Sequence, residues 1–281
     1  MTAATGTMRP VRHPSLRRRR SPLARWYRRH ERAVLGIVGI TAFLLFWELG
    51  SRAGVIDAFF FSRPTGILEA AVAEVQLPRF WNDVRVSAFE FFGGFIIAVG
   101  LGVPLGLLLG WYRRLSYLVD PWLNLFNSLP RLALLPIIVL WLGLGTEAKL
   151  ATVFLGAFFS IVIPTVQGVR TVDRRLLDVA TSFGASQRRI FTSVVLPATV
   201  PFIVTGIRLG IGRALIGVVL AEIYAQTEGL GVMIDRSADT LQAGRMFFGI
   251  LIFVAAGVIS VQGLRRIEES FQRWRPAQEE S

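Results

Sequence analysis

The chain has 281 residues, of which 53% are hydrophobic and 18% charged, with a net charge of +12 and a mean hydropathy of +0.53. Soluble domains carry about 25% charged residues, so this composition indicates an integral membrane protein. Cysteine is absent and both histidines, His13 and His30, precede the first apolar segment, which excludes disulfides and thiolate nucleophiles and argues against a metal site or proton relay in the membrane.

Residues 1–32 form a basic tail that we expect to be disordered and cytoplasmic. The tail contains ten arginines, four of them in the run 17–20, and shows no apolar periodicity. Twin arginines are also typical of secretion signals, but the apolar run starts only at Ala33 and no cleavage pattern of small residues closes it. We interpret the arginine run as a topology anchor, not as a nucleic-acid-binding tract, and the first apolar segment as a retained membrane anchor.

Six apolar segments are each long enough to cross a lipid bilayer, which takes roughly 20 residues. Basic residues concentrate in the N-terminal tail and after the second, fourth and sixth segments, and cytoplasmic loops are the basic ones. The sequence therefore predicts an all-α integral membrane fold of six transmembrane helices, with both termini cytoplasmic and a C-terminal tail at 266–281. The six segments lie at about 33–50, 88–110, 119–144, 149–169, 198–221 and 246–264.

Residues 33–87 contain the first span and a segment on the outer side. In that segment, apolar residues recur at helical spacing after Pro64, beginning with Ile67 and Leu68. This periodicity predicts an amphipathic helix at the membrane surface. We expect the helix to pack over the spans, with docking of a partner as the alternative.

The second and third spans have different patterns. The second carries alanine or glycine every four residues from Ala98 to Gly110, a spacing that lets helix backbones approach closely in lipid. The third is interrupted by polar residues and a proline between 124 and 131. Irregular polar backbone at membrane depth is tolerated only against protein or a water-filled cavity. We therefore expect this span, including Arg131, to form one wall of a solute pathway.

Residues 170–197, between the fourth and fifth spans, predict a short, rigid helical hairpin. Asp173 can cap a first helix and Ser186 a second, and Gly184 can end the first helix in the left-handed conformation. Pro197 and Pro201 fit the entry to the fifth span, because proline is tolerated in a first turn. The apolar positions expected on one face of the first helix are Leu176, Leu177, Ala180 and Phe183.

Residues 178–197 resemble the signature E-A-A-x3-G-x9-I-x-L-P of the membrane subunits of ABC importers, with every spacing kept. The resemblance extends from about residue 84 to 265. The stretches "SLPRLALLPIIVLWLGLG" at 128–145 and "GIRLGIGRALIGVVLAE" at 206–222, followed by "GLG" at 229–231, are similar to the nitrate, sulfonate and taurine branch of these permeases. The departures are mild and are Asp178 for Glu, Val179 for Ala and Val194 for Ile.

The resemblance implies a type I ABC-importer permease in a bacterial cytoplasmic (inner) membrane, with its core at residues 88–265. Such a subunit pairs with a second copy, expected here as a homodimer, and takes a small solute from an extracytoplasmic binding protein. The branch implies an anionic nutrient such as an aliphatic sulfonate, taurine or nitrate. The loop 170–197 would dock into a separate ATPase subunit, which holds the ATP and magnesium, so this chain would bind no cofactor. The coupling positions are Asp178, Ala180, Gly184, Ala185, Ser186, Leu196 and Pro197.

The residues also indicate that this chain is not the ATPase. A phosphate-binding P-loop needs the pattern G-x4-G-K-[ST], and the sole lysine, Lys149, stands between Ala148 and Leu150. No constellation of catalytic groups is present, so we do not expect an enzyme. The alternatives are a secondary carrier or channel that acts alone, or a scaffold that couples energy without its own solute path. Acidic residues only at span ends argue against a proton-driven carrier.

Charges inside spans are candidates for function because they are costly there. In the fifth span, Gly210, Arg213 and Gly217 share a narrow stripe at 100° per residue. This stripe could line the solute path, where the guanidinium of Arg213 would bind a planar or tetrahedral oxyanion. The alternative is a structural arginine that bonds carbonyls of a neighbouring helix or pairs with Glu222 or Glu90.

Overall fold

The computed structural model describes residues 22–272, which form helices and connecting turns without a β-strand. A 3-10 turn at Arg131–Leu134 and a π-helical turn at Phe191–Val195 interrupt the α-helical segments. The α-helices are α1 (Pro22–Arg52), α2 (Ala58–Phe61), α3 (Pro64–Val75), α4 (Pro78–Trp111), α5 (Arg113–Ser128), α6 (Leu135–Leu142), α7 (Thr146–Arg170), α8 (Arg174–Ser182), α9 (Gln187–Ile190), α10 (Leu196–Ala225), α11 (Leu230–Asp239) and α12 (Ala243–Gln272).

Among the described residues, five helices are long and apolar enough to cross a membrane, and they belong to α1, α4, α7, α10 and α12. The span expected at 119–144 is not one continuous helix. Helix α5 ends at Ser128, Leu129 is extended, and Pro130 precedes the 3-10 turn that leads into α6. Proline disfavours a helical conformation in the residue before it, which explains the break. The count of six continuous spans is therefore not confirmed, and the cytoplasmic position of both termini stays a prediction.

The N-terminal tail differs from the expectation of disorder through residue 32. Helix α1 begins at Pro22, so the end of the predicted tail is helical and continuous with the first span. Proline is favourable in a first helical turn because its missing N–H needs no partner there. The residues before 22 and after 272, which include the arginine run and most of the predicted C-terminal tail, lie outside the described residues.

Helix α7 lies at the centre of the bundle, between α4 and α10. The close approach of α4 predicted from its small residues is confirmed: a Cβ added at Gly106 would lie 2.6 Å from Thr165 Cβ. On the other side, a Cβ at Gly156 of α7 would lie 2.8 Å from the backbone oxygen of Arg213 in α10. Closely packed interiors resist local deformation, so we expect these three helices to move as rigid bodies.

Helix α3 forms where the apolar spacing predicted it and buries Ile67. Glu48 of α1 accepts hydrogen bonds from the Thr65 backbone N–H at 3.1 Å and from its hydroxyl at 2.9 Å. Trp47 packs edge-on against Phe247 of α12. These contacts lie near the C-terminal end of α1, and only 6% of the apolar window of this helix is buried.

Candidate functional site

The predicted hairpin at 170–197 is present, and local hydrogen bonds fix its shape. The side chain of Asp173 accepts a bond from the Arg175 N–H at 2.9 Å at the start of α8. Gly184 has a φ of +74°, and its N–H donates to the Thr181 carbonyl at 2.9 Å, while the Ala185 N–H donates to the Ala180 carbonyl at 3.1 Å. These two bonds make a Schellman motif, which requires the left-handed conformation that glycine adopts readily.

The inner face of the hairpin packs against the ends of α4 and α7. Ile190 and Val195 of the hairpin are buried with Val169 of α7. Trp111, at the end of α4, contacts Phe191 edge-on with ring centroids 5.2 Å apart. The hairpin is therefore seated on two long helices and can transmit a displacement to both.

The outer face of α8 exposes an apolar ridge that consists of Leu176, Val179 and Phe183. These side chains are 53%, 54% and 87% exposed, and their spacing of three and four residues places them on one side of the helix. The expectation that Leu177 and Ala180 share this face was wrong, because both turn inward onto the apolar cluster of the hairpin. An exposed apolar patch flanked by charged residues is typical of a surface that binds another protein.

The predicted coupling positions fall into groups with different surroundings. Asp178 is exposed. Ala180 and Ala185 pack against the buried cluster, so a larger side chain at Ala185 would disturb the packing of the hairpin. Ser186 caps α9, with its hydroxyl 3.4 Å from the Arg189 N–H. Leu196 and Pro197 begin α10.

A cleft of about 390 Å³ lies between the broken segment after α5 and the helices α7 and α10. Arg213 and Gly217, both predicted to line a pathway, lie in its wall. Arg213 is exposed. Its side chain has no hydrogen bond or ion pair with the side chains that the structure describes, so its guanidinium can meet a solute. The other lining residues are Asn127, Leu129, Pro130, Leu135, Thr152, Gly156, Ile216 and Leu220.

Two other predicted pathway residues have different positions. Gly210 is buried at the interface with α7, where an added Cβ would lie 3.1 Å from Ile161 Cγ1, and it is not among the residues that line the cleft. Arg131 begins the 3-10 turn directly after Pro130, and its side chain lies outside the described structure. Gly217 belongs to the cleft wall and also to the contact with α7, because a Cβ added there would lie 3.1 Å from Val153 Cα.

A buried polar network at the opposite end of the bundle from the hairpin was missed by the sequence reasoning. Lys149 Nζ lies 2.8 Å from Glu90 Oε1 and 3.0 Å from the Glu228 carbonyl. Glu222 accepts from the Ser87 hydroxyl at 2.5 Å and from the Gly231 N–H at 2.6 Å. Both acidic residues proposed as partners of Arg213 are thus held elsewhere. The signal available was the only lysine of the chain, placed at the start of an apolar helix.

The bundle of apolar helices, the capped hairpin and the cleft define a membrane transport subunit. The chain belongs to the family described as binding-protein-dependent transport system inner membrane component, which matches residues 102–273. It is therefore an ABC transporter permease of a binding-protein-dependent importer.

Curated relatives cover most of this chain. A probable ABC transporter permease of Brucella melitensis is 37% identical over 72% of this chain and 79% of its own length. The putative aliphatic sulfonates transport permease of Bacillus subtilis is 30% identical over 87% of this chain and 88% of its own length. The taurine transport system permease of Escherichia coli is 27% identical over 85% of this chain and 89% of its own length.

A solved structure shares the fold. It is titled as inward-facing conformations of the MetNI methionine ABC transporter, and it superposes with a TM-score of 0.58 at 19% identity. The match covers 67% of this chain and 94% of the solved chain. The architecture of the bundle is therefore that of an ABC importer permease.

Proposed function

We propose that this chain is the membrane-spanning subunit of an ATP-driven importer in a bacterial cytoplasmic membrane. The observation that carries the proposal is the outward ridge of Leu176, Val179 and Phe183 on a hairpin stiffened by caps at both helices. A separate ATPase subunit binds this ridge, and ATP-driven closure of the ATPases moves the hairpin against the ends of α4 and α7. This chain supplies no nucleotide or magnesium site of its own.

The importer contains a second copy of this chain and takes its solute from an extracytoplasmic binding protein. The described residues leave large apolar surfaces on α5 and α6, including Trp122 and Trp141, which are 60% and 77% exposed. In the membrane, such surfaces face lipid or a neighbouring subunit. A homodimer would place two clefts near a common axis, as a shared solute path requires.

The solute is a small anion, and Arg213 is the group that favours it. Among the described residues that line the 390 Å³ cleft, Arg213 is the one with a charged side chain. Guanidinium binds planar and tetrahedral oxyanions through paired hydrogen bonds. The names of the sulfonate and taurine relatives support an aliphatic sulfonate or taurine, each with a tetrahedral sulfonate group. Nitrate is a planar oxyanion that a guanidinium also binds.

Co-purification from the native organism tests the central claim. The tagged chain should retain a partner that carries a P-loop and hydrolyses ATP, and Phe183→Glu should remove this partner because it places a charge within the apolar contact. Val55→Glu is a matched control, because Val55 is 80% exposed and lies in the turn between α1 and α2, at the end of the bundle away from the hairpin. Solute accumulation by vesicles that contain this chain alone would contradict the proposal and favour a secondary carrier.

A further inference from the structure

Arg170, the last residue of α7, is bound to the first two turns of α5. Its Nη2 lies 2.8 Å from Asp120 Oδ2 and also contacts the hydroxyl of Ser116. The Ser116 hydroxyl donates to the same carboxylate oxygen at 2.9 Å. Ser116 is only 2% exposed, so the cluster is anchored in the bundle although the arginine and aspartate are part-exposed. Three polar groups thus join the two helices at the hairpin end.

One face of α5 runs from this cluster to the cleft. Ser116, Asp120, Leu123 and Asn127 are spaced by four, three and four residues and therefore lie on the same side of the helix. Leu123 is buried in the cluster that includes Phe159 of α7, and Asn127 lines the cleft. At about 1.5 Å of rise per residue, Asn127 lies roughly 16 Å along the axis from Ser116. A single helix therefore spans from the ion pair to the cleft wall.

On its other side, Arg170 is closely tied to the hairpin. Only Thr171, Val172 and Asp173 separate it from α8. The Thr171 hydroxyl donates back to the Gln167 carbonyl at 2.9 Å, Val172 packs in the apolar cluster of the hairpin, and Asp173 caps α8. Because each connecting residue is held, α8 cannot tilt without displacing Arg170.

The cleft is walled by residues of α7, α10, α6 and the end of α5, with none contributed by α4. Helices α7 and α10 are continuous with the hairpin in the chain. The hairpin contact at Trp111 reaches α4, which does not line the cleft. The α5 wall is tied to the hairpin end of α7 by the side chains of Arg170, Asp120 and Ser116.

We propose that the Arg170–Asp120 ion pair transmits movement of the hairpin to α5, and through α5 to the Asn127–Pro130 wall of the cleft. Arg170 is then a positioning residue for transport. The proposal rests on the proposed function, in which an ATPase moves the hairpin. Without the ion pair, the hairpin would still bind its ATPase, and the α5 wall would follow it only through the apolar contact of Leu123 with α7 and the short link from Trp111.

The absence of cysteine in the natural chain allows a direct test. Leu129→Cys places one thiol in the cleft wall, and its reaction rate with a charged, membrane-impermeant maleimide reports exposure of the wall. The rate is measured on the complex with its co-purified ATPase, first without nucleotide and then with ATP and vanadate. Only permease retained through a tag on the ATPase is scored. In the Leu129→Cys chain, nucleotide trapping should change the rate by about fivefold or more, the lower end of usual coupling between sites.

Adding Arg170→Gln should strongly reduce this nucleotide-dependent change, and the reversed pair Arg170→Asp with Asp120→Arg should restore it. Arg208→Gln is the matched control, because Arg208 pairs with Glu268 at 2.9 Å with the same 45% exposure as Arg170 but joins α10 to α12. The control should keep the full change. Arg170→Lys, which retains the charge, should keep part of it.

The outcomes separate this inference from the proposed function. If the unsubstituted permease retains no ATPase, the proposed function is wrong and the inference falls with it. If the ATPase binds and the labelling rate of Arg170→Gln still responds fully to ATP and vanadate, the inference alone is overturned. Equal loss in Arg170→Gln and Arg208→Gln would also overturn it, because the effect would then not be specific to the α7–α5 contact.

Discussion

Lys149 and Glu90 form an ion pair with an N–O distance of 2.8 Å, and their side chains are only 5% and 1% exposed. The pair joins the start of α7 to α4, and the second bond of the lysine, to the Glu228 carbonyl, holds the turn before α11. A buried pair gains little over an apolar pair, but a single charge left in its place is strongly destabilising.

Lys149→Met should therefore lower the free energy of unfolding by about 3–5 kcal/mol, because it leaves Glu90 buried without its cation. Thermal unfolding of the purified protein in detergent would measure the loss. Combining Lys149→Met with Glu90→Leu should recover much of the stability. As a control, Arg265→Met removes the exposed pair with Glu269 and should cost at most about 1 kcal/mol. Similar effects of the two methionine variants would contradict the expectation.

Gly184→Ala should destabilise the hairpin by about 1 kcal/mol, since a side chain at a φ of +74° is strained although nothing lies within 4 Å of its Cβ. Gly212 also has open space around its Cβ but is helical. Gly212→Ala should therefore be neutral or stabilising by about 0.5–1 kcal/mol. Hydrogen exchange of the 174–190 amides would compare the two variants. Faster exchange confined to this segment in Gly184→Ala is the expected result, and unchanged exchange would argue against a conformational role.

Gly106→Ala should weaken the packing of α4 against α7 by about 1–3 kcal/mol, the usual cost of overpacking. Its Cβ would meet the Thr165 side chain at 2.6 Å and the Val162 carbonyl at 3.0 Å, which cannot both withdraw. Gly100 lies on the same helix with nothing within 4 Å, so Gly100→Ala should be tolerated. The melting temperature and the yield of folded protein would distinguish them. A greater loss in Gly100→Ala would mean that this face of α4 packs against another subunit.

Arg213→Gln should raise the KM for uptake of an aliphatic sulfonate by about tenfold to a hundredfold, which corresponds to the loss of one charged hydrogen bond. The KM of Arg213→Lys should lie between those of the unsubstituted chain and Arg213→Gln, because lysine keeps the charge without the paired geometry. Uptake by proteoliposomes that contain the complete complex would give these values. An unchanged KM in Arg213→Gln would show that the arginine has a structural role, and the amount of co-purified ATPase in each variant controls for assembly.

Features encoded within a few residues were predictable from the sequence. The caps at Asp173 and Ser186 and the left-handed Gly184 follow from local backbone chemistry, and the structure has all three. The small-residue spacing in α4 likewise predicted its close packing, because a four-residue period places those positions on one face. Each of these features depends on one segment and its own periodicity.

Features that depend on neighbouring segments were missed or misplaced. The direction of Leu177 within α8 depends on where α4 and α7 end, which no local pattern encodes. The partners of Glu90 and Glu222 come from residues 59 and 135 positions away in the chain. The break after Ser128 was visible as polar residues and Pro130, yet hydropathy alone treated 119–144 as a single span. Long-range contacts therefore decided the direction of Leu177 and the partners of the two glutamates, whereas the break at Pro130 is a local feature that hydropathy does not report.

The attachment of α1 through Trp47, Glu48 and the turn beyond them makes this helix a separable module. A reporter protein fused before Pro22 would extend a helix that contributes little packing to the rest of the bundle. Glycosylation or reporter-enzyme fusions at that end can therefore read the sidedness of the N-terminus without compromising the fold. A substitute anchor helix spliced in before Trp47 should be accepted for the same reason.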